Sequence, residues 1–296
     1  MTRNDKEDGS TGGVGTTGHV WDGIEELNNP LPRWWVWIFV ATTVWGIIYT
    51  IAYPAWPLLG TATSGVLGWS SRSEVAAEIA AVETANAGLQ VRLAGADLAR
   101  LRNDTELHSF AVNQGAALFR ANCIQCHGAG AAGVQASGFP NLLDDDWLWG
   151  GEVKDIAFTV ANGIRNQASP DARWTEMPAF GDILAKDEIE AVVQRVLGLS
   201  GQEHDAALAT TGTTIYADNC AACHGKAGEG MRELGAPSLV DAIWLYGGDH
   251  ARLVESVTKS RFGVMPAWSG KFLAGGLDQA EINAVAAYVH GLGGGE

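Results

Sequence analysis

The chain has 296 residues, 47% of them hydrophobic and 18% charged, with a formal net charge of -15 at pH 7. This acidic balance argues against nucleic acid as a partner and against a broad basic face for anionic lipid. It suits a basic soluble protein drawn in by electrostatic steering, or simply confers solubility. The length admits two or three modest domains.

Residues 1–33 come first, and the opening twenty or so are polar and glycine-rich, which predicts a mobile tail that includes His19. Residues 34–53 then read WWVWIFVATTVWGIIYTIAY, a run without a charge. That length crosses a bilayer core as a helix of about 20 residues. Trp34, Trp35 and Trp37 stand at one end, and Tyr53 and Trp56 at the other, where amphipathic rings favour the two membrane interfaces. A cleavable signal peptide is the competing reading. The run's depth in the chain, the lack of a small-x-small cleavage site and the following Pro54 and Pro57 oppose it. Arg3, Lys6 and Arg33 precede the span and the next positive residue is Arg72, so the Lys/Arg bias puts the N-terminus in the cytoplasm and the rest outside.

Residues 54–108 read as an exported linker, helical between about Glu74 and Arg102, with Gly88 and Gly95 weakening the helix. It either packs on a partner or spaces the following domains from the membrane.

Two pentapeptides, Cys123-Ile-Gln-Cys126-His127 and Cys220-Ala-Ala-Cys223-His224, use all 4 cysteines. Cys-x-x-Cys-His is the attachment site of c-type haem. Two thiols add to the vinyl groups of one porphyrin, and the adjoining imidazole reaches the iron from the same backbone turn. A thioredoxin-like pair gives no reason for a following His at both sites. A tetrathiolate zinc site leaves both histidines unused, and a pair of disulfides ignores them as well. Covalent haem is in any case attached on the exported side of bacterial membranes, in agreement with the charge bias.

Superposing the motifs at a shift of 97 aligns Gly115 with Gly212, Asn122 with Asn219, Pro140 with Pro237, Asp144 with Asp241, Trp147 with Trp244 and Gly150-Gly151 with Gly247-Gly248. Farther on, Met177-Pro178-Ala179 meets Met265-Pro266-Ala267 at a shift of 88, so the second copy lacks nine residues in between. Ile189, Val193 and Val196 then match Ile282, Ala286 and Val289, one face of a closing helix in each copy. The repeats, about 109–200 and 204–296, resemble class I cytochrome c. The expected fold class is therefore all-α, with one N-terminal transmembrane helix followed by two tandem class I cytochrome c domains.

Met opposite His on haem iron raises its potential into the range used for electron transfer. Met177 and Met265 recur in matching contexts, which makes them the candidate partners of His127 and His224; Met231 lacks such a match. Pairing within each repeat gives His127 with Met177 and His224 with Met265. Exchange between repeats gives His127 with Met265 and His224 with Met177, and the sequence leaves both open. Pro140 and Pro237 match the proline of cytochromes c whose carbonyl accepts a hydrogen bond from the ligating imidazole. Of the remaining histidines, His108, His204 and His290 read as ordinary side chains, and His250 as a minor rival ligand.

The segment WDGIEELNNPLPRWW at 21–35, the YPAWPL at 53–58, the single anchor and the two haem domains together are similar to the di-haem subunit III (CcoP/FixP) of cbb3-type cytochrome c oxidases. That resemblance implies a place in a terminal respiratory oxidase of the inner membrane, one that reduces oxygen to water and pumps protons. The subunit takes electrons from a soluble cytochrome c or the bc1 complex and passes them toward a mono-haem cytochrome c subunit and the catalytic haem-copper subunit. It further implies that Asn29, Pro30, Leu31 and Pro32 dock the anchor against partner helices, although proline also simply suits a helix start. The chain carries no copper constellation, so its own part is electron transfer and not oxygen chemistry. The competing functions are a free-standing membrane-anchored di-haem carrier, a di-haem peroxidase and a ligand sensor; the latter two need an open iron, which two Met-Pro-Ala copies oppose.

Overall fold

The structure, a computed structural model, describes residues 14–295. Arg3, Lys6 and most of the expected mobile tail lie outside the described residues. The chain divides into two compact bodies, 1–84 and 85–296.

The first body departs from an all-α pattern at its start. Strands β1 (Thr16–Trp21) and β2 (Ile24–Leu27) form an antiparallel hairpin across Asp22-Gly23. His19 is thus a strand residue, 3.6 Å from Glu26, and not part of a loose tail. The Asp-Gly pair supplies the two positive φ angles, 49° and 85°, that a tight hairpin turn demands.

Helix α1 (Arg33–Ala52) follows Pro32 and buries none of its side chains within the molecule. Thr42, Thr43 and Thr50 donate their hydroxyls back to the carbonyls of Ile38, Phe39 and Ile47. These three hydroxyls thereby find partners along their own turns, as a hydrocarbon surround favours. Among the described residues it is the one helix long and apolar enough to cross a membrane, with a mean hydropathy of 1.7. Helix α2 (Ser71–Ala94) runs through Gly88 and stops at Gly95. A short 3-10 segment, Leu98–Asn103, completes the linker, capped by the Asp97 carboxylate.

The second body holds α3 (Thr105–Asn122), α4 (Ile124–His127), α5 (Val153–Asn162), α6 (Lys186–Leu199), α7 (Ala206–Asn219), α8 (Ala221–His224), α9 (His250–Lys259) and α10 (Gln279–His290). Asp104, Asp205, Asp249 and Asp278 accept from backbone N–H groups at the starts of α3, α7, α9 and α10. These caps satisfy donors that each helix start leaves free.

Helices α5 and α9 correspond at the same shift of 97 as the haem motifs, so the nine-residue difference falls at residues 164–172. The sequence repeats are not the packing units. Helix α3 of the first repeat packs on α10 of the second, and α7 of the second packs on α6 of the first. Both crossings are close because glycine stands at each. A Cβ on Gly115 would lie 2.1 Å from the Ala284 carbonyl oxygen, and one on Gly212 would lie 2.1 Å from that of Ala191.

Two cores result. One joins Phe119, Ile156 and Val160 to Ile282, Val285 and Val289; the other joins Tyr216, Leu239 and Leu253 to Ile189, Val192 and Val196. Each lobe therefore takes its haem motif and the helix that follows from one repeat, and its closing helix from the other.

Candidate haem sites

Each Cys-x-x-Cys-His sits where a long helix gives way to a single turn. Cys123 ends α3 while Cys126 and His127 lie in α4, and Cys220, Cys223 and His224 repeat this at α7 and α8. The next residues, Gly128 and Gly225, have φ of 77° and 78°, which turns the chain away sharply without a Cβ penalty. All four thiols are free. Burial, with the second thiol of each pair, pushes Cys123 and Cys220 up to about 11.

His127 Nδ1 lies 3.3 Å from the Pro140 carbonyl oxygen and His224 Nδ1 lies 3.0 Å from that of Pro237. A carbonyl only accepts, so the proton sits on Nδ1 and the Nε2 lone pair is left for a metal. Burial lowers the pKa of both imidazoles, keeping them in the neutral form that ligation needs. The fit to c-type haem is thus a fit of donor chemistry: two thiols and one oriented imidazole at each of two equivalent turns.

The methionine loops follow the exchanged packing. Met265 packs against the core that contains Phe119 and borders Cys123 and Ile124. Its backbone pairs with Ile164, N–H to carbonyl in both directions at 3.0 Å. Met177 accepts at its carbonyl from the Ser260 hydroxyl, and the turn Phe180–Asp182 just beyond it packs on α9. Gly163 and Ser260, equivalent at the shift of 97, thus each abut the Met loop of the opposite repeat; a Cβ on Gly163 would lie 2.4 Å from the Met265 carbonyl oxygen.

The remaining candidates have other roles. His250 contacts Glu190 at 2.7 Å, His204 contacts the Gln202 carbonyl at 2.9 Å and His290 meets Arg102 at 2.9 Å. Met231 opens a tight turn through a backbone bridge with Ala236, matching Val134 and Phe139 in the first repeat.

Sequence reasoning found the nine-residue difference but gave the residues at 164–172 no role. Arg165 Nε donates to the Gly263 carbonyl at 2.7 Å, and Asn166 Nδ2 donates to the Met265 carbonyl at 3.2 Å. The insert therefore braces the Met265 loop, whereas the Met177 carbonyl takes its side-chain bond from Ser260 at the end of α9. The gap in the alignment was the signal for it. Also unread were the reciprocal contacts of the two repeats. A Cβ on Gly138 would strike the Tyr246 ring at 2.3 Å and one on Gly235 the Trp149 ring at 2.3 Å, and Trp149 and Tyr246 are themselves equivalent at the shift of 97.

Residues 13–60 match the N-terminal domain of cytochrome oxidase-cbb3, FixP. Residues 110–194 and 207–289 match cytochrome c oxidase, cbb3-type, subunit III. The chain belongs to this CcoP/FixP family. It is 56% identical to the cbb3-type cytochrome c oxidase subunit CcoP of Cereibacter sphaeroides over 95% of both chains. It is 48% identical to the subunit FixP of Sinorhizobium medicae over 96% of both, and 50% identical to the CcoP of Rhodobacter capsulatus over 96% of this chain and 97% of that one. As a CcoP/FixP chain it is a haem c-binding, membrane-anchored electron-transfer subunit of an oxidoreductase complex, and the anchor is α1.

Proposed function

We propose that the chain binds two c-type haems with exchanged axial ligands: one held by Cys123, Cys126, His127 and Met265, the other by Cys220, Cys223, His224 and Met177. The observation that carries this reading is that Met265 packs against the same core, containing Phe119, that Cys123 borders, in the lobe that α3 and α10 form together. The Ser260 contact to Met177 in the companion lobe supports it. Bound haem supplies the reversible ferric/ferrous couple. The protein's part is to attach it through the cysteines, to aim the imidazoles through the Pro140 and Pro237 carbonyls, and to close the sixth position with the two methionines. With both positions filled by protein, no iron is open to oxygen or peroxide, so the chain relays electrons and does no oxygen chemistry.

The donor is a soluble or membrane cytochrome c, and the recipients are the mono-haem subunit and the haem-copper subunit that reduces oxygen and pumps protons. The acidic net charge of -15 suits a basic donor. The N-terminus is cytoplasmic and the haem lobes are periplasmic, as the Lys/Arg bias around α1 favours. Reduced spectra with and without carbon monoxide test the relay: both haems are expected to refuse the gas, and ready binding at either would overturn it. Deleting the chain is expected to abolish cytochrome c oxidation by membranes that retain the haem-copper subunit.

A further inference from the structure

The uncharged run of the chain does not end with the anchor. Helix α1 closes at Ala52, yet residues 34–71 hold no Asp, Glu, Lys, Arg or His, and charge returns only at Arg72 in the first turn of α2. The piece between the helices is a folded turn. Leu58 N–H donates to the Thr61 carbonyl at 2.7 Å and Thr63 N–H to the Trp56 carbonyl at 2.9 Å. Thr63 Oγ1 in turn accepts from the Trp56 N–H at 3.1 Å. These polar groups pair with one another, while Trp56, Leu58, Leu59, Val66 and Leu67 are all exposed, Leu59 completely. Apolar side chains clustered on the outside of a folded turn mark a contact surface and not a loop made for water.

Hydrogen bonds fix the height of this turn against α1. Val66 N–H donates to the Ile51 carbonyl at 2.9 Å and Leu67 N–H to the Ala52 carbonyl at 3.2 Å. Such carbonyls are the ones a helix end leaves without an intrahelical partner. Gly65 presses on the same place, since a Cβ there would lie 2.4 Å from the Ala52 carbonyl oxygen. The Tyr53 and Trp69 rings meet edge to face at 5.7 Å, and Trp69 Nε1 donates to the Glu74 carboxylate at 2.9 Å. The 20 residues of α1 rise about 30 Å, the thickness of a hydrocarbon core. Arg33 starts the helix at one interface, so its last turn, and whatever is bonded to it, lies at the other.

We propose that residues 54–69 form a second membrane contact, an interfacial anchor seated among the lipid headgroups with Trp56, Leu58, Leu59, Val66 and Leu67 against the acyl boundary. The occupant is lipid because this surface continues that of α1 with no intervening charge and sits at the depth where Trp and Leu side chains partition. Non-helical backbone is tolerated there because it pairs with itself and with the end of α1, and because water is near. The last turn of α1 has no basic residue to hold it at the headgroups. The folded turn takes that part: it sets the depth of α1 and delivers the chain to α2 from a fixed point on the membrane surface, not from a free tether.

The test places single cysteines at the turn, Leu59→Cys and Val66→Cys, with Ile47→Cys in α1 as the lipid reference and Glu83→Cys in α2 as the water reference. Each full, haem-loaded chain is spin-labelled and reconstituted into phosphatidylcholine vesicles, and the unsubstituted chain labelled alongside gives the background. Power saturation with oxygen and with a water-soluble nickel chelate reads the surroundings. The oxygen-to-nickel accessibility ratio at positions 59 and 66 is expected to be severalfold above that at 83 and below that at 47. Ratios equal to that at 83 would put the turn in water and overturn the proposal. In the assembled oxidase the two labels are expected to keep their access to oxygen; shielding from both reagents would mean that a partner subunit covers the turn, and would overturn the lipid contact.

Discussion

Replacing Gly115 with Ala tests whether α3 really crosses a helix from the far end of the chain. The new Cβ would stand 2.1 Å from the Ala284 carbonyl oxygen and 2.6 Å from its carbon. These are backbone atoms and cannot rotate aside, so α3 and α10 must separate by about 1 Å to restore van der Waals contact. The seam that opens holds Phe119 and Ile282, which are 1% and 2% exposed. Overpacking of this kind costs about 1–3 kcal/mol and lies near the upper end where backbone is struck. Ala in place of Gly within a helix returns about 1 kcal/mol. The net loss is about 2 kcal/mol, or roughly 4–8 °C in melting temperature for a body of this size. Thermal unfolding of the detergent-solubilised chain followed by far-ultraviolet circular dichroism reads it. Gly88→Ala is the control, because a Cβ there meets nothing within 4 Å and the helix gains stability instead. A Gly115→Ala protein that melts at or above the parent temperature would refute the crossing.

Other outcomes follow from the same geometry. Asn166→Ala removes the side-chain bond to the Met265 carbonyl, and is expected to raise carbon monoxide binding at one haem only, measured by reduced difference spectra. Asp146 is pushed up to about 6 by burial and by the nearby carboxylates of Asp241, Asp144 and Asp145. A carboxyl raised in the folded state lends stability that is present at low pH and is lost as pH climbs to about 6. Asp146→Asn therefore stabilises the chain by about 1 kcal/mol above pH 7, after allowance for solvent screening, and changes little near pH 4; urea titrations at the two pH values check this. Gly235→Ala forces a Cβ into the Trp149 ring at a φ of 57°, and is expected to cost about 2 kcal/mol or more in the same titrations.

Much of this was legible in the residues because the chemistry is local. Cys-x-x-Cys-His spans one turn, its imidazole finds the Pro140 and Pro237 carbonyls thirteen residues on, and the anchor declares itself through an uncharged stretch. Helix boundaries were nearly readable too, since α1 begins one residue before the expected Trp34. The hairpin of Thr16–Leu27 was missed because polar, glycine-rich composition outweighed its Asp-Gly turn. The exchange of closing helices was not legible in principle. Duplicated repeats present the same apolar face twice, so α6 and α10 suit either of α3 and α7, and only the connections decide.

The exchanged ligation is best tested in chains that keep one haem. With Cys220 and Cys223 replaced by Ala, the remaining haem is the one at Cys123 and Cys126, and its Met–iron charge-transfer band reports the sixth ligand. Adding Met265→Ala is predicted to abolish that band while Met177→Ala preserves it; with Cys123 and Cys126 replaced instead, the dependence reverses. Loss of the first band with Met177→Ala, and its survival with Met265→Ala, would contradict the account.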